Sequence, residues 1–195
     1  MIRVLVVDDH PAVRAGLLAV LRSEPGLVPV GAASAHRMAV QEAKRTACTL
    51  ALVDLHLGEE SGLELCRELK RLASPPRVVI YSSFVTKHLV IPTRLAGAEG
   101  LVDKGTPTPE LFAAIRRASL GEIAMQPATP DLMAATAAKL ATEDLPILGM
   151  VMDGTSHSDI AAVLALSERE ADERLSGMLK LLTTSLTLPT GGRGG

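Results

Sequence analysis

The chain has 195 residues, of which 47% are hydrophobic and 2% aromatic. It is long enough for one domain of about 120 residues and a smaller one, both with aliphatic cores. No apolar segment approaches the roughly 20 residues of a membrane-spanning helix, and the first residues lack a signal-peptide pattern, which argues against a membrane protein and predicts a cytoplasmic one. The net charge of −2 is unevenly distributed, because residues 1–121 hold 15 Lys and Arg against 12 Asp and Glu, whereas residues 141–195 hold four against eight. The C-terminal part is therefore acidic.

Apolar runs alternate with amphipathic patterns over the first 121 residues. The first run, 2–7, is β-branched and nearly continuous, which is typical of a strand buried on both faces of a parallel sheet. The predicted strands are 2–7, 28–32, 50–53, 78–81 and 100–102. The first predicted helix starts at Pro11, the third contains 65–72, and the others span 36–46, 86–96 and 108–120. A loop is predicted at 58–62. This alternation predicts an α/β doubly wound parallel sheet with helices on both faces. Cys48 and Cys66 have no metal-ligand spacing and are predicted to be small buried hydrophobes.

The periodicity after residue 121 is purely helical. Residues 131–140 are good helix formers and predict a helical linker, and two apolar patterns at 145–153 and 160–164 predict two short helices. Ser167 is the expected N-cap of a third helix, with Glu170 at the capping-box position. The last segment, 185–195, ends in a glycine-rich sequence, which predicts a short coil or strand followed by a flexible tail.

Polar side chains follow the predicted strands where each strand ends. Asp8 and Asp9 follow the first strand, Asp54 the third, Ser82 the fourth and Lys104 the fifth. Because the carboxyl ends of parallel strands meet at one edge of a sheet, we expect these groups to converge there. Three converging carboxylates need a cation, and a hard divalent ion with oxygen ligands points to Mg²⁺. With it, one aspartate is suited to attack a phosphoryl group, Lys104 to pair with its oxygens and Ser82 to donate a hydroxyl.

These residues resemble the receiver domain of two-component response regulators, which has a flavodoxin-like (βα)5 fold. Val-Asp-Asp-His-Pro-Ala-Val-Arg-Ala-Gly-Leu at 7–17 and Asp-Leu-His-Leu-Gly-Glu-Glu-Ser-Gly at 54–62 resemble the NarL/LuxR-type branch. The resemblance implies that Asp54 is the phosphoacceptor, and that Asp9, Asp54 and the backbone carbonyl of His56 ligate Mg²⁺, with Asp8 acting through water. It also implies Ser82 as the switch hydroxyl, a sensor histidine kinase as phosphoryl donor and dimerisation on phosphorylation.

The chain departs from the receiver pattern around the switch. Leu101 stands where an aromatic residue is common, three residues before the lysine, and Tyr81 is expected to point to the opposite face of the sheet. Phe84 and His56 flank the expected path of attacking water. We hypothesise that this apolar cover makes the acyl phosphate long-lived.

Residues 143–182 resemble the LuxR-type helix-turn-helix. Ser156-His157-Ser158-Asp159-Ile160-Ala161 resembles the family's Ser-Asn-Lys-Glu-Ile-Ala, and Leu166-Ser167-Glu168 resembles the Ile-Ser-Glu that precedes its recognition helix. That helix normally carries a lysine where this chain has Asp172, and Glu173 follows. Carboxylates near DNA phosphates oppose binding that depends on charge.

Four residues are the candidate DNA contacts: Arg169, Arg174, Ser176 and Lys180. The spacing favours the two arginines as i,i+4 partners of Glu173 and Glu170 over base readers. Three hypotheses for the function of the C-terminal domain therefore remain. The protein is a DNA-binding transcription regulator, a protein-interaction module with an acidic docking surface and an unknown protein partner, or an enzyme that turns over phosphoryl groups. The predicted divisions are a receiver at 1–121, a linker at 122–141, a helix-turn-helix at 142–184 and a tail at 185–195.

Overall fold

The computed structural model describes residues 1–184. The predicted tail at 185–195, including the expected strand or coil around Leu186, lies outside the described residues. The strands are β1 Ile2–Val7, β2 Leu27–Ala33, β3 Leu50–Val53, β4 His56–Leu57, β5 Glu60–Ser61, β6 Arg77–Ser82 and β7 Gly100–Asp103. The helices are α1 Pro11–Ser23, α2 His36–Thr46, α3 Gly62–Lys70, α4 Val90–Leu95, α5 Thr108–Ser119, α6 Pro130–Ala137, α7 Leu145–Met152, α8 His157–Val163 and α9 Glu168–Thr184.

A five-stranded sheet in the order β2-β1-β3-β6-β7, parallel throughout, organises the first compact unit, which comprises Met1–Val85 and Ala98–Met125. All four residues of β3 and the last four of β1 are buried, as expected for strands covered on both faces. On one face, side chains of α1 and α5 close a core over β1, β3, β6 and β7. The predicted fold class, a doubly wound parallel sheet followed by helices, is confirmed.

One local prediction for this part of the chain was wrong, and a second, the helix over 86–96, is confirmed with an irregular first turn. The segment expected to be a loop at 58–62 contains half of an antiparallel hairpin, β4–β5, which turns at Gly58 with a φ of +66°, and α3 begins already at Gly62. The helix expected over 86–96 starts as a 3₁₀ turn, Lys87–Leu89, and becomes α-helical only in α4. Pro92 has no amide hydrogen to donate to the preceding turn, which favours the tighter start.

The second compact unit combines Thr86–Gly97 with the chain from Gln126 onward. Arg94 of α4 is buried, and its Nη2 donates to the carbonyl oxygen of Val151 in the last turn of α7 at 2.8 Å. The predicted capping box of α9 is confirmed, since Glu170 N donates to Ser167 Oγ at 3.2 Å and Ser167 N donates to Glu170 Oε2 at 2.9 Å. The predicted limits at 121 and 142 remain predictions. Among the described helices, none combines the length and apolarity needed to cross a bilayer.

Candidate functional site

Backbone pairing aligns the ends of four strands at one rim of the sheet. Val7 of β1 pairs with Val53 of β3, and Asp54 N donates to Val7 O at 2.8 Å, so the first and third strands end together. Ser82 of β6 pairs with Asp103 of β7, and Lys104 N donates to Ser82 O at 2.8 Å. The rim therefore holds the residues that the sequence predicted to converge.

Lys104 connects the two buried carboxylates of this rim. Its Nζ lies 2.6 Å from Asp8 Oδ2 and 2.7 Å from Asp54 Oδ2, and the two aspartate side chains are 1% and 6% exposed. Burial raises the pKa of Asp54 above its ordinary value, against the lowering effect of Lys104. Burial acts to lower the pKa of Lys104, but its bonds to Asp54 and Asp8 outweigh that effect and raise it. The site thus contains a cation fixed between two buried carboxylates, and its charge opposes the effect of burial on the pKa of Asp54.

Asp9 completes the acidic cluster and has an oxygen available for a ligand. Its Oδ2 accepts a hydrogen bond from Gly58 N at 3.2 Å. Its Oδ1 is buried and receives no hydrogen bond from the described residues, and His10 Nδ1 lies 2.7 Å from it. One ligand atom from each of Asp8, Asp9, His10 and Asp54 lies within 4.8 Å of the others. An unsatisfied carboxylate oxygen beside two further carboxylates suits a hard divalent cation.

Ser82 and the two flanking rings lie at the neighbouring strand ends. Ser82 is fully buried, and its hydroxyl accepts a hydrogen bond from Phe84 N at 3.2 Å. The ring of Phe84, 44% exposed, meets the ring of His56 edge-on, with centroids 6.2 Å apart. His56 N also donates to Asp54 Oδ1 at 3.4 Å. The structure therefore pairs the two residues that the sequence predicted as an apolar cover.

Two residues that the sequence did not assign to the site support it. A Cβ at Gly62 would lie 1.9 Å from Asp54 O, so only glycine lets α3 begin so close to this strand end. The hydroxyl of Tyr81 donates to Lys104 O at 3.2 Å. Gly62 ends the motif at 54–62 and Tyr81 is the only tyrosine of the chain, but neither signal reveals a tertiary contact.

The candidate DNA contacts of α9 differ in their partners. Arg169 Nη1 pairs with Glu173 Oε1 at 2.6 Å, which confirms the predicted i,i+4 pair. The predicted pair of Arg174 with Glu170 was wrong, because the guanidinium of Arg174 lies 3.4 Å from the Asp144 carboxylate and donates to Glu143 O at 3.0 Å.

The remaining two candidates on this helix differ in exposure. Ser176 is half-buried and Lys180 is exposed. Lys180 therefore presents its ammonium group to solvent, whereas the charge of Arg169 is partly neutralised by its carboxylate partner.

A parallel five-stranded sheet whose rim holds an aspartate cluster bridged by a lysine defines a receiver-type signalling domain. The family of the response regulator receiver domain matches residues 4–116, and the chain belongs to that family of two-component response regulators. The transcriptional regulatory protein LiaR of Bacillus subtilis is 29% identical over 95% of this chain and 92% of its own length. The DNA-binding transcriptional activator DevR/DosR of Mycobacterium tuberculosis is 30% identical over 93% and 88%, respectively.

Solved structures agree with this assignment. A LuxR-family two-component response regulator from Aurantimonas is 29% identical and superimposes with a TM-score of 0.60, covering 68% of this chain and 92% of that one. RcsB of Salmonella enterica, solved on promoter DNA, covers 93% of this chain with a TM-score of 0.56; its 17% identity supports the fold alone. The relatives are transcriptional regulators, which favours transcription control over the interaction-only and phosphoryl-turnover readings.

Proposed function

We propose that Asp54 is the phosphoacceptor of this response regulator and takes its phosphoryl group from a sensor histidine kinase. The observation that carries the proposal is the position of Lys104 Nζ, within 2.7 Å of both Asp8 and Asp54. A fixed ammonium at this place pairs with phosphoryl oxygens as they arrive at Asp54. One Asp54 oxygen forms the new bond to phosphorus, while the bond from phosphorus to the donor breaks and its electron pair leaves with the donor.

We propose that Mg²⁺ is bound beside this aspartate. Asp9, Asp54 and the backbone carbonyl of His56 are the proposed ligands, with Asp8 acting through water. The support is the buried Asp9 Oδ1, which has no hydrogen bond from the described residues and lies within the cluster of carboxylates. When bound, the ion supplies positive charge to the phosphoryl oxygens.

Labelling with radioactive acetyl phosphate tests both the assignment of Asp54 as phosphoacceptor and the requirement for Mg²⁺. The wild-type protein should incorporate phosphate in the presence of MgCl2, and EDTA should abolish the signal. An Asp54→Asn variant should lose it, whereas Asp131→Asn, at an exposed position of α6, should label like the wild type. Equal labelling of the Asp54→Asn variant would refute the assignment of the phosphoacceptor.

We propose further that phosphorylation controls DNA binding by the helices α7–α9. The similarity to full-length transcriptional regulators supports this. The first half of α9 exposes Glu168, Glu170 and Glu173, and Arg169 is paired with Glu173. Few cations are therefore available for phosphate contacts, and we expect weak binding with a shallow salt dependence.

Fluorescence anisotropy with genomic promoter fragments at several salt concentrations measures this binding. Glu173→Gln leaves the Arg169 guanidinium unpaired, so it should increase affinity by about twofold to tenfold and steepen the salt dependence. Glu122→Gln, which also breaks an exposed arginine pair, is the matched control and should have no effect. If neither the phosphorylated nor the unphosphorylated protein binds DNA at low salt, the proposal of DNA binding is refuted, while the proposals for Asp54 and Mg²⁺ are unaffected.

We also propose a phosphorylation-dependent homodimer formed through 86–96, β7 and α5. All six residues of α4 are buried in this structure, so the proposed dimer requires α4 to separate from its packing partners on phosphorylation. Sedimentation of the full chain with and without beryllofluoride and Mg²⁺ measures it. A mass that stays monomeric at high protein concentration with beryllofluoride would refute the dimer.

A further inference from the structure

Two consecutive residues of β6 hold the backbone of Lys104 on both sides. Ser82 O accepts a hydrogen bond from Lys104 N at 2.8 Å, and the Tyr81 hydroxyl donates to Lys104 O at 3.2 Å. The first bond is ordinary pairing at the end of two parallel strands. The second is made by a side chain from the neighbouring strand, so it adds a restraint that the sheet itself does not provide.

Lys104 lies in a turn that needs such a restraint. Gly105 N donates to Asp103 Oδ1 at 2.7 Å and Thr106 N donates to Asp103 O at 3.0 Å, so these bonds close the turn around Lys104 without holding Lys104 O. Glycine at the next position gives the chain a wide choice of backbone angles. A rotation of the Lys104 peptide would displace an ammonium group that must reach two separate carboxylates.

The ring of Tyr81 is well placed to supply a fixed hydroxyl. Tyr81 is 8% exposed, pairs with Val102 across the strands and packs in the core with Leu111, Phe112 and Ile115 of α5. Leu101 pairs with Ile80 and so lies on the opposite face of the sheet. Burial raises the pKa of the Tyr81 phenol above its ordinary value, so the hydroxyl remains a hydrogen-bond donor at neutral pH.

We propose that Tyr81 is a positioning residue for phosphoryl transfer: its buried hydroxyl fixes the Lys104 backbone and thereby aligns the ammonium group with Asp54. The inference rests on the proposed function, because Lys104 must act on the phosphoryl group. Tyr81 itself touches no reacting atom. With acetyl phosphate, an Asp54 oxygen bonds to phosphorus, the phosphorus–oxygen bond to acetate breaks, and acetate leaves with the electron pair.

Tyr81→Phe removes the hydroxyl and keeps the ring in the core. The maximal rate of phosphorylation of the full chain by acetyl phosphate and Mg²⁺ should fall about threefold to tenfold, which corresponds to losing one hydrogen bond's contribution to alignment. The half-saturating acetyl phosphate concentration should not change. The matched control is Thr46→Val, which removes another buried hydroxyl, one that donates to Glu42 O at 2.7 Å in α2. It should cost similar stability in urea unfolding and leave the rate unchanged.

A double-variant cycle separates positioning from general packing. In a Lys104→Met background there is no ammonium group to align, so adding Tyr81→Phe should change the remaining rate by less than a factor of about 1.5. Three results would each overturn the inference. Tyr81→Phe alone could be phosphorylated as fast as the wild type, or it could slow the reaction equally in the Lys104→Met background. Thr46→Val could lose as much phosphorylation rate as Tyr81→Phe. A wild-type protein that takes no phosphate would instead overturn the proposed function on which it rests.

Discussion

Replacing Lys104 by methionine should destabilise the protein strongly in EDTA. The substitution keeps most of the side-chain length but removes the cation shared by Asp8 and Asp54, whose side chains are 1% and 6% exposed. Among the described residues, each keeps one backbone hydrogen bond, from His10 N at 2.8 Å and from His56 N at 3.4 Å, respectively. Removing one partner of a buried ion pair costs about 3–5 kcal/mol. The loss should lower the melting temperature by roughly 6–12 °C.

Mg²⁺ should reverse part of this loss. Without Lys104 the cluster of three aspartates loses the ammonium group that pairs with two of them, so the variant should bind Mg²⁺ at least tenfold more tightly than the wild type. A ligand stabilises the folded state by an amount that grows with the ratio of its concentration to its Kd, and a tenfold lower Kd adds about 1.4 kcal/mol at saturation. The stability gap between variant and wild type should narrow by that amount.

Urea unfolding followed by circular dichroism, in EDTA and in MgCl2, measures both effects. Lys139→Met removes an exposed lysine of the second unit and serves as the control, with an expected change below about 0.5 kcal/mol. A loss under about 1 kcal/mol for Lys104→Met in EDTA, or a gap that widens when Mg²⁺ is added, would refute the electrostatic account of the site.

Three further predictions concern the surroundings of Asp54 and the thiols. Gly62→Ala should cost about 3 kcal/mol in urea unfolding and slow phosphorylation at least tenfold, because its Cβ would lie 1.9 Å from Asp54 O; unchanged stability would contradict this. Phe84→Glu should shorten the acyl phosphate lifetime roughly tenfold in a hydrolysis assay, by opening the apolar cover to water, and an equal lifetime would argue against that cover. Burial raises the pKa of Cys48 to about 11 and that of Cys66 to about 12, so at pH 8 both should be protonated and react with a thiol reagent more than about a hundredfold more slowly than in urea. Fast labelling of the folded chain would contradict this.

The parts of the fold that the sequence predicted correctly are those encoded locally or by strand periodicity. The continuous apolar run of β1 and the polar residues after each strand sufficed to place Asp8, Asp54 and Lys104 at one rim, since parallel strands share their carboxyl ends. The spacing of Ser167 and Glu170 likewise defined the start of α9, because a capping box depends only on residues three apart.

The errors and omissions arise from contacts between distant residues. Arg174 pairs with Asp144, 30 positions away, rather than with the Glu170 that helical spacing offered. The role of Gly62 depends on how closely α3 approaches Asp54, and the role of Tyr81 depends on a turn more than 20 residues later. Neither distance can be derived from local propensity or hydrophobic period.

The placement of Thr86–Gly97 with the helices that follow Gln126 makes the second unit discontinuous along the polypeptide. A fragment that begins after residue 125 would lack α4, and with it the guanidinium that caps the α7 carbonyl of Val151. The complementary fragment, 1–125, would carry that helix without its packing partners. Dissecting this regulator into halves therefore creates two incomplete bodies, and its signalling output is best studied in the intact polypeptide.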